Sequence, residues 1–258
     1  MSTLTKSKTS EQVTGYSNEL QLRFVTAASL FDGHDAAINV MRRLIQSQGV
    51  EVIHLGHNRS VENVVRAALQ EDADAIALSS YQGGHVEYFK YMVDMLRDRG
   101  ASHIRVIGGG GGTITPEEIS ELEAYGVERI YHPNDGMRMG LVAMIEDAVT
   151  RVRRAAIDNR ALGSAIFSTG SIEDEISIGR ALSAIEENRI NDHEIAELRK
   201  SWEQSTHNAP VIGVTGTGGA GKSSVVDELL IRFLDLAPKM RIAVLAIDPT
   251  RRRSGGAL

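Results

Sequence analysis

Hydrophobic positions along the chain fall into short continuous runs that alternate with stretches of helical periodicity. The short runs predict buried β-strands, because strands covered on both faces are apolar at consecutive positions. They lie at residues 22–30, 50–55, 75–79, 104–107 and 127–131. The helical stretches lie at residues 36–47, 61–71, 86–99, 116–124 and 137–154. Since parallel strands need crossover helices, this order predicts an α/β fold with a doubly wound, five-stranded parallel sheet.

The rest of the pattern divides the chain into further regions. Residues 1–20, rich in Ser, Thr and Lys, predict a disordered leader, and residues 21–155 predict one complete domain of the flavodoxin-like type. Residues 156–208 predict a helical linker whose two helices begin near Ser171 and Asp192. Apolar runs at 211–215 and 241–247 flank a predicted helix at 224–236. Residues 209–258 are therefore predicted to be the N-terminal part of a second α/β domain.

The composition is that of a protein with a sizeable core, and it excludes several functions. The chain has 258 residues, 42% of them hydrophobic, and a net charge of −6 at pH 7. That charge argues against a nucleic-acid partner, which favours a basic surface. Cysteine does not occur in the sequence, which excludes disulfides and thiolate chemistry and is typical of a reducing, cytoplasmic setting. No apolar stretch reaches about 18 residues, so no membrane partner is expected.

A phosphate-binding pattern, G-x-x-x-x-G-K-[ST], stands between the first apolar run of the second domain and its helix. It consists of Gly216, Thr217, Gly218, Gly219, Ala220, Gly221, Lys222 and Ser223. The glycines let backbone N–H groups surround phosphate oxygens, Lys222 supplies a cation, and the Ser223 hydroxyl can ligate Mg²⁺. This predicts the start of a P-loop NTPase domain. Asp248, after the next apolar run, is a second candidate Mg²⁺ ligand, although a simple turn before Pro249 explains it almost as well.

The second domain is short for its predicted role. Only 49 residues run from Pro210 to Leu258, whereas a nucleotide-hydrolysing domain needs on the order of 150. We therefore expect the chain to be a fragment of a longer polypeptide. Its residues 210–258 are expected to expose apolar strand and helix faces and to be poorly ordered.

A polar turn, Asp32-Gly33-His34, follows the first predicted strand. Since parallel sheets bind ligands outside the carboxyl ends of their strands, an imidazole in this turn can reach a bound cofactor. Asp32 is close enough in sequence to accept one ring N–H and leave the other nitrogen free to bind a metal. On these residues alone, a helix cap or a solvated polar turn is the simpler explanation.

Later strands end in residues that change this interpretation. Ser79-Ser80-Tyr81 follows the third predicted strand and Gly108-Gly109 the fourth. With the first turn, they resemble the D-x-H-x-x-G, S-x-L and G-G elements of cobalamin-binding domains in adenosylcobalamin-dependent mutases. Two positions depart from these elements without removing a ligating atom: Ala37 stands in place of a glycine, and Tyr81 in place of a leucine.

The order of the two domains adds to the resemblance. The P-loop and the segment from Asp248 to Gly256 resemble the G-protein chaperones that protect such mutases. A cobalamin domain followed directly by this chaperone is the arrangement of the fused isobutyryl-CoA mutases. The resemblance covers most of residues 21–258.

The resemblance implies a set of cofactor-binding residues: Asp32, Gly33, His34, Ser79, Tyr81, Gly108 and Gly109. His34 would be the lower axial ligand of cobalt, with Asp32 fixing its tautomer. Ser79 would hydrogen-bond the nucleotide tail of the cofactor, and the two glycines would let that tail pass close to the fourth strand. His85 is a further candidate for the pocket wall, although a surface histidine is the simpler explanation.

The resemblance also implies a function for the longer protein. It would interconvert isobutyryl-CoA and n-butyryl-CoA with adenosylcobalamin, and would use GTP and Mg²⁺ to control cofactor loading. The acyl-CoA would bind to a downstream mutase domain, so no catalytic residue is expected in this chain, and a cytoplasmic homodimer is expected. Three alternatives stay open: a methylmalonyl-CoA-type mutase subunit, a non-catalytic cobalamin carrier or sensor, and a nucleotide-binding regulator whose first domain holds no corrin.

Overall fold

The apolar runs form strands because most of their side chains are buried between two layers of helices. The computed structural model describes residues 20–33, 35–162, 175–203 and 209–246. The strands are β1 (Arg23–Ser29), β2 (Glu51–Arg59), β3 (Ala75–Ser79), β4 (Arg105–Gly109) and β5 (Arg129–Tyr131). They are parallel and lie in the order β2-β1-β3-β4-β5. The predicted doubly wound, five-stranded sheet is confirmed.

Helices cover both faces of this sheet. They are α1 (Asp35–Ser47), α2 (Val61–Gln70), α3 (His85–Asp98), α4 (Pro116–Tyr125), α5 (Pro133–Met139) and α6 (Leu141–Leu162). Successive strand residues point to opposite faces of the sheet, so the strands contribute side chains to two hydrophobic cores, one on each face. Val25 and Ile76 pack with α2, α3 and α4, whereas Phe24 and Ile107 pack with α1 and α6.

Two of the differences between the predicted and the observed element boundaries have a clear cause in the backbone. β2 continues beyond residue 55 to Arg59, because left-handed backbone at Gly56 and Asn58 (φ 82° and 56°) shifts the register against β1 and lets pairing resume. The stretch predicted as one helix at 137–154 is two helices, since Gly140, with φ 81°, ends α5 before α6 begins.

Part of the predicted linker packs on the first domain. Helix α7 (Glu175–Glu186) contacts α2 so closely that a Cβ added at Gly179 would lie 3.0 Å from the carbonyl oxygen of Gln70. The Arg23 guanidinium, at the start of β1, donates to Ser183 Oγ at 3.1 Å and pairs with Glu186 at 3.2 Å. Helix α7 therefore belongs to the first of two compact units, which ends at Asp192.

The second compact unit begins at His193 and holds most of α8 (Asp192–Glu203) and all of α9 (Lys222–Leu236). The strands predicted at 211–215 and 241–247 are not formed within the described residues 209–246. A strand needs a hydrogen-bonded neighbour, and the described parts of these two segments do not pair. Apolar side chains are exposed here, as expected: Val211 is 96% and Leu245 89% exposed.

In the described part of the chain, none of the helices combines the length and the apolarity needed to cross a bilayer.

Candidate functional site

The carboxyl ends of four neighbouring strands form an edge at which small residues stand side by side. Ala28, Ser79, Gly109 and Tyr131 are register partners across β1, β3, β4 and β5. Because adjacent strands lie about 4.8 Å apart, this row spans roughly 14 Å. Its two middle positions carry only a hydroxymethyl group and a hydrogen atom. The row therefore has a gap at its centre, over Gly109 and between the side chains of Ser79 and Tyr131.

A cavity of about 410 Å³ opens at this edge, on the face of the sheet that α1 and α6 cover. Ser79, Gly109 and Tyr131 line it, together with Ala37 and Met41 of α1. Ala37, which replaces the motif glycine, thus lies at the cavity wall. A mainly apolar cavity with a few polar groups suits an organic ligand.

The two adjacent glycines of β4 have different roles. A Cβ at Gly108 would lie 2.3 Å from Phe89 Cζ and 2.9 Å from Ile130 Cδ1, so the missing side chain makes room for the α3 layer. A Cβ at Gly109 would meet only the backbone oxygen of Tyr131, at 3.3 Å, on the cavity side. The missing side chain of Gly109, rather than that of Gly108, leaves space for a ligand.

The hydroxyl of Ser79 belongs to the cavity, whereas its neighbour Ser80 ties strands together. Among the described residues, no group hydrogen-bonds the Ser79 side chain. Ser80 is fully buried, accepts a hydrogen bond from the Ser29 hydroxyl at 2.9 Å, and donates its N–H to the carbonyl of Gly109 at 2.8 Å. Ser80 thus links neighbouring strands at the sheet edge, whereas Ser79 lines the cavity.

Asp32 joins the loop after β1 to the loop after β3. Its side chain is only 2% exposed, and its Oδ2 accepts the backbone N–H of Tyr81 at 2.8 Å. Its own N–H donates to the carbonyl of Ser29 at 3.1 Å. Sequence reasoning did not foresee the contact with Tyr81. The contact that it did expect, between Asp32 and His34, lies outside the described residues because His34 is not among them.

The residues on either side of Asp32 are turned to solvent. Phe31 has left-handed backbone (φ 64°) and is 84% exposed, and its N–H donates to Asn58 Oδ1 at 2.9 Å. A bulky residue rarely adopts this conformation, so contacts around the turn must hold it there. Gly33 is exposed and has open space around the position of a Cβ, so packing does not require a glycine there.

Tyr81 lines the cavity and packs against the glycine run that follows β4. A Cβ at Gly111, where φ is 60°, would lie 2.5 Å from Tyr81 Cε1. A Cβ at Gly110 would lie 1.9 Å from the carbonyl oxygen of Ser80. Close contacts, rather than a need for a flexible loop, therefore explain these two glycines.

His85 is buried and does not line the cavity, so the interpretation as a surface histidine was wrong. It begins α3 and is 3% exposed. Its Nδ1 lies 3.0 Å from the carbonyl oxygen of Gln82, and its Nε2 lies 3.1 Å from Glu118 Oε2 in a contact that is not aligned as a hydrogen bond. The backbone N–H of Thr115 and the nearby His85 lower the pKa of Glu118. This pair joins α3 to α4.

His132 lines the cavity but was not among the predicted site residues. It is the N-cap of α5, where its Nδ1 accepts the N–H of Asn134 at 3.2 Å. In return, Asp135 Oδ2 accepts the N–H of His132 at 3.0 Å. The following Pro133 and the acidic residue three positions on are a helix-start pattern that could have placed this histidine at a loop edge.

Two glycines of the predicted P-loop have left-handed backbone, which a residue with a side chain rarely adopts. Gly219 and Gly221 have φ of 77° and 78°, and α9 begins directly after them at Lys222. Lys222 Nζ donates to the carbonyl of Thr217 at 2.7 Å, and Ser223 is exposed in the first turn of the helix. Asp248 lies outside the described residues. The described residues hold no group of three or more His, Asp or Glu side chains placed to bind a metal ion.

Two protein families match the chain by sequence. The family described as B12 binding domain matches residues 22–141. The family described as methylmalonyl Co-A mutase-associated GTPase MeaB matches residues 178–258. The first match covers the whole sheet and most of the residues that line the cavity, and the second covers the P-loop.

Named relatives agree with both matches. The fused isobutyryl-CoA mutase of Cupriavidus metallidurans is 56% identical over 239 residues, which are 92% of this chain and 21% of that protein. The fused isobutyryl-CoA mutase of Geobacillus kaustophilus is 49% identical over 251 residues, 94% of this chain and 23% of that protein. The pivalyl-CoA mutase small subunit of Xanthobacter autotrophicus is 35% identical over 113 residues, 43% of this chain and 74% of the subunit. The chain spans about a fifth of the length of the fused mutases.

Proposed function

Because this chain belongs to the family of B12-binding acyl-CoA mutases that includes the fused isobutyryl-CoA mutases, we propose that its first unit binds adenosylcobalamin at the carboxyl edge of the sheet. The observation that carries this proposal is the gap between Ser79 and Tyr131, which opens into the cavity. The nucleotide tail of the cofactor would enter this cavity, and the corrin ring would stay outside it.

The chemistry of the edge fits this cofactor. Ser79 presents a hydroxyl that has no partner among the described residues, and Gly109 leaves room beside it. Buried Asp32 stands at the base of the turn that carries His34, where a carboxylate favours an imidazole that donates to it. His34 would supply the cobalt ligand, as the motif implies. Tyr81, fixed through its N–H to Asp32, would form one wall.

When bound, adenosylcobalamin supplies the radical chemistry that rearranges the carbon skeleton of an acyl-CoA. The residues of this chain bind, orient and bury the cofactor. The apolar lining keeps water from the tail, and the contact of Asp32 with Tyr81 holds two loops of the edge in register. We assign no catalytic residue to this chain, because the groups that contact substrate would lie in a mutase domain beyond it.

The second unit would bind GTP with Mg²⁺ and control the loading of the cofactor. The glycine conformations and the helix start at Lys222 support a phosphate site. Lys222 now donates to Thr217, so it would exchange this carbonyl for a phosphate oxygen when nucleotide binds. Ser223 and Asp248 would ligate Mg²⁺.

For the complete protein, the names of the relatives support interconversion of isobutyryl-CoA and n-butyryl-CoA. We propose the same reaction here, in a homodimeric protein whose acyl-CoA site follows this chain. The isolated chain should show no turnover, whereas the full-length protein should isomerise isobutyryl-CoA. Absence of turnover by the loaded full-length protein would favour a carrier or sensor.

Visible spectroscopy tests the cofactor assignment directly. Adding adenosylcobalamin to the chain should convert the free cofactor to a base-off form with histidine on cobalt, and His34→Ala should abolish the histidine-bound spectrum. His193→Ala is the matched control, because this histidine is exposed on α8, outside the cobalamin-binding domain, and should leave the spectrum unchanged. An unaltered cofactor spectrum with the wild-type chain would refute the assignment.

A further inference from the structure

We propose that His132 donates a hydrogen bond from its Nε2 to the ribose–phosphate part of the cobalamin tail inside the cavity. The inference rests on the proposed function and adds a second polar contact to that of Ser79. His132 lines the cavity directly after β5, and Ser79 lines it at the end of β3.

The helix cap determines which ring nitrogen carries the proton. Nδ1 accepts the N–H of Asn134 at 3.2 Å, so this nitrogen must be unprotonated. The neutral ring then carries its proton on Nε2, which makes that atom a donor. Among the described residues, no group accepts a hydrogen bond from it. The reciprocal bond from the N–H of His132 to Asp135 holds the residue in place.

The register of the sheet places Tyr131, the residue before His132, across the gap from Ser79. Ser79 pairs with Gly109, and Gly109 pairs with Tyr131, the residue before His132. The Cα atoms of Ser79 and Tyr131 are thus two strand spacings, roughly 10 Å, apart, with a glycine between them. Since Ser79, Gly109 and His132 all line the cavity, a ligand that fills the gap over Gly109 would be within the same cavity as the His132 side chain.

The chemistry of the gap selects an acceptor-rich ligand. Both polar groups can donate, and the neighbouring lining from α1 and α5, such as Met41 and Met137, is apolar. A donor beside an apolar wall favours a ligand that supplies an oxygen acceptor at that point. The phosphodiester and ribose oxygens of the tail are such acceptors, and the benzimidazole beyond them suits the apolar part.

Two substitutions separate the donor from the cap. His132→Asn keeps an N-cap, because asparagine is among the best capping residues, and its shorter side chain has no donor at the position of Nε2. His132→Ala removes both. The affinities of each variant are measured by visible titration with cobalamin and with cobinamide, which lacks the nucleotide tail, and thermal unfolding is recorded in parallel.

We expect His132→Asn to unfold at the wild-type temperature, to bind cobalamin roughly tenfold more weakly, and to bind cobinamide as the wild type does. His132→Ala should also unfold at a lower temperature, and Ser79→Ala should repeat the tail-specific loss. Wild-type affinity of His132→Asn for cobalamin would overturn the inference, and so would an equal loss for cobalamin and cobinamide. If the wild-type chain bound neither compound, the cobalamin assignment itself would fail.

Discussion

Alanine at Gly108 and alanine at Gly109 should separate folding from cofactor binding, because the two positions face opposite sides of the sheet. At Gly108 the new Cβ would lie 2.3 Å from Cζ of Phe89, which is 0% exposed. Overpacking of this kind costs roughly 1–3 kcal/mol. The upper end applies here, because Ile130 Cδ1 would also lie 2.9 Å away. We expect Gly108→Ala to lower the free energy of unfolding by about 3 kcal/mol.

At Gly109 the closest atom to a new Cβ is the carbonyl oxygen of Tyr131, at 3.3 Å, so a small shift accommodates a methyl group. Alanine also reduces the freedom of the unfolded chain, which stabilises the fold by about 0.4–1 kcal/mol and offsets the strain. The free energy of unfolding should therefore stay within about 1 kcal/mol of the wild type. The methyl group would, however, occupy the gap beside Ser79, and the cobalamin Kd should rise roughly 5- to 150-fold.

Urea denaturation followed by circular dichroism measures the first effect, and visible titration with cobalamin measures the second. The two variants should give opposite patterns: Gly108→Ala less stable, and Gly109→Ala stable but binding weakly. Equal losses of stability would refute the assignment of the two glycines to opposite faces. Wild-type affinity of Gly109→Ala would refute the placement of the tail in the gap.

Three further changes test other parts of the first unit. Phe31→Gly should raise the free energy of unfolding by roughly 1 kcal/mol, because glycine adopts left-handed backbone without strain. Urea denaturation measures this free energy, and a lower value than that of the wild type would contradict the reasoning. Arg23→Met should cost about 2 kcal/mol and release α7. Hydrogen exchange over residues 176–186 detects that release, and unchanged protection would argue against it. Burial and the Arg180 guanidinium lower the pKa of His103 from its ordinary value of 6.5. Neutral His103 therefore contributes its full stability above pH 6.5, and this contribution is lost as the pH falls through the lowered pKa. His103→Gln should flatten the pH dependence of the urea midpoint below pH 6.5, and an unchanged slope would exclude this histidine as its source.

The sheet and most of its helices could be predicted because their determinants are local. Consecutive apolar residues specify a buried strand, and a 3.6-residue period specifies a helix face, without knowledge of neighbours. The same patterns predicted that Ser79 and Gly109 lie at the ends of strands. They failed for the strands of the second unit, since a strand forms only with a partner and the described segments there do not pair.

The finer geometry of the site depends on register, which a single sequence does not encode locally. Gly108 and Gly109 look equivalent until the pairing of β4 shows which of them faces Phe89. The partner of Asp32 is a backbone N–H 49 residues away in the chain. His132 carries a recognisable helix-start pattern, but only the order of the strands brings it to the same gap as Ser79.

Helix α7 shows that family boundaries and packing boundaries differ in this chain. The match to the GTPase family begins at residue 178, inside α7, yet α7 packs on α2 and on the Arg23 side chain of the first unit. Arg23 is the first residue of β1, and the same strand ends at Ser29, three residues before Asp32. One buried strand therefore contacts, at its start, a helix that the GTPase family match enters, and it leads at its end into the turn that contains Asp32.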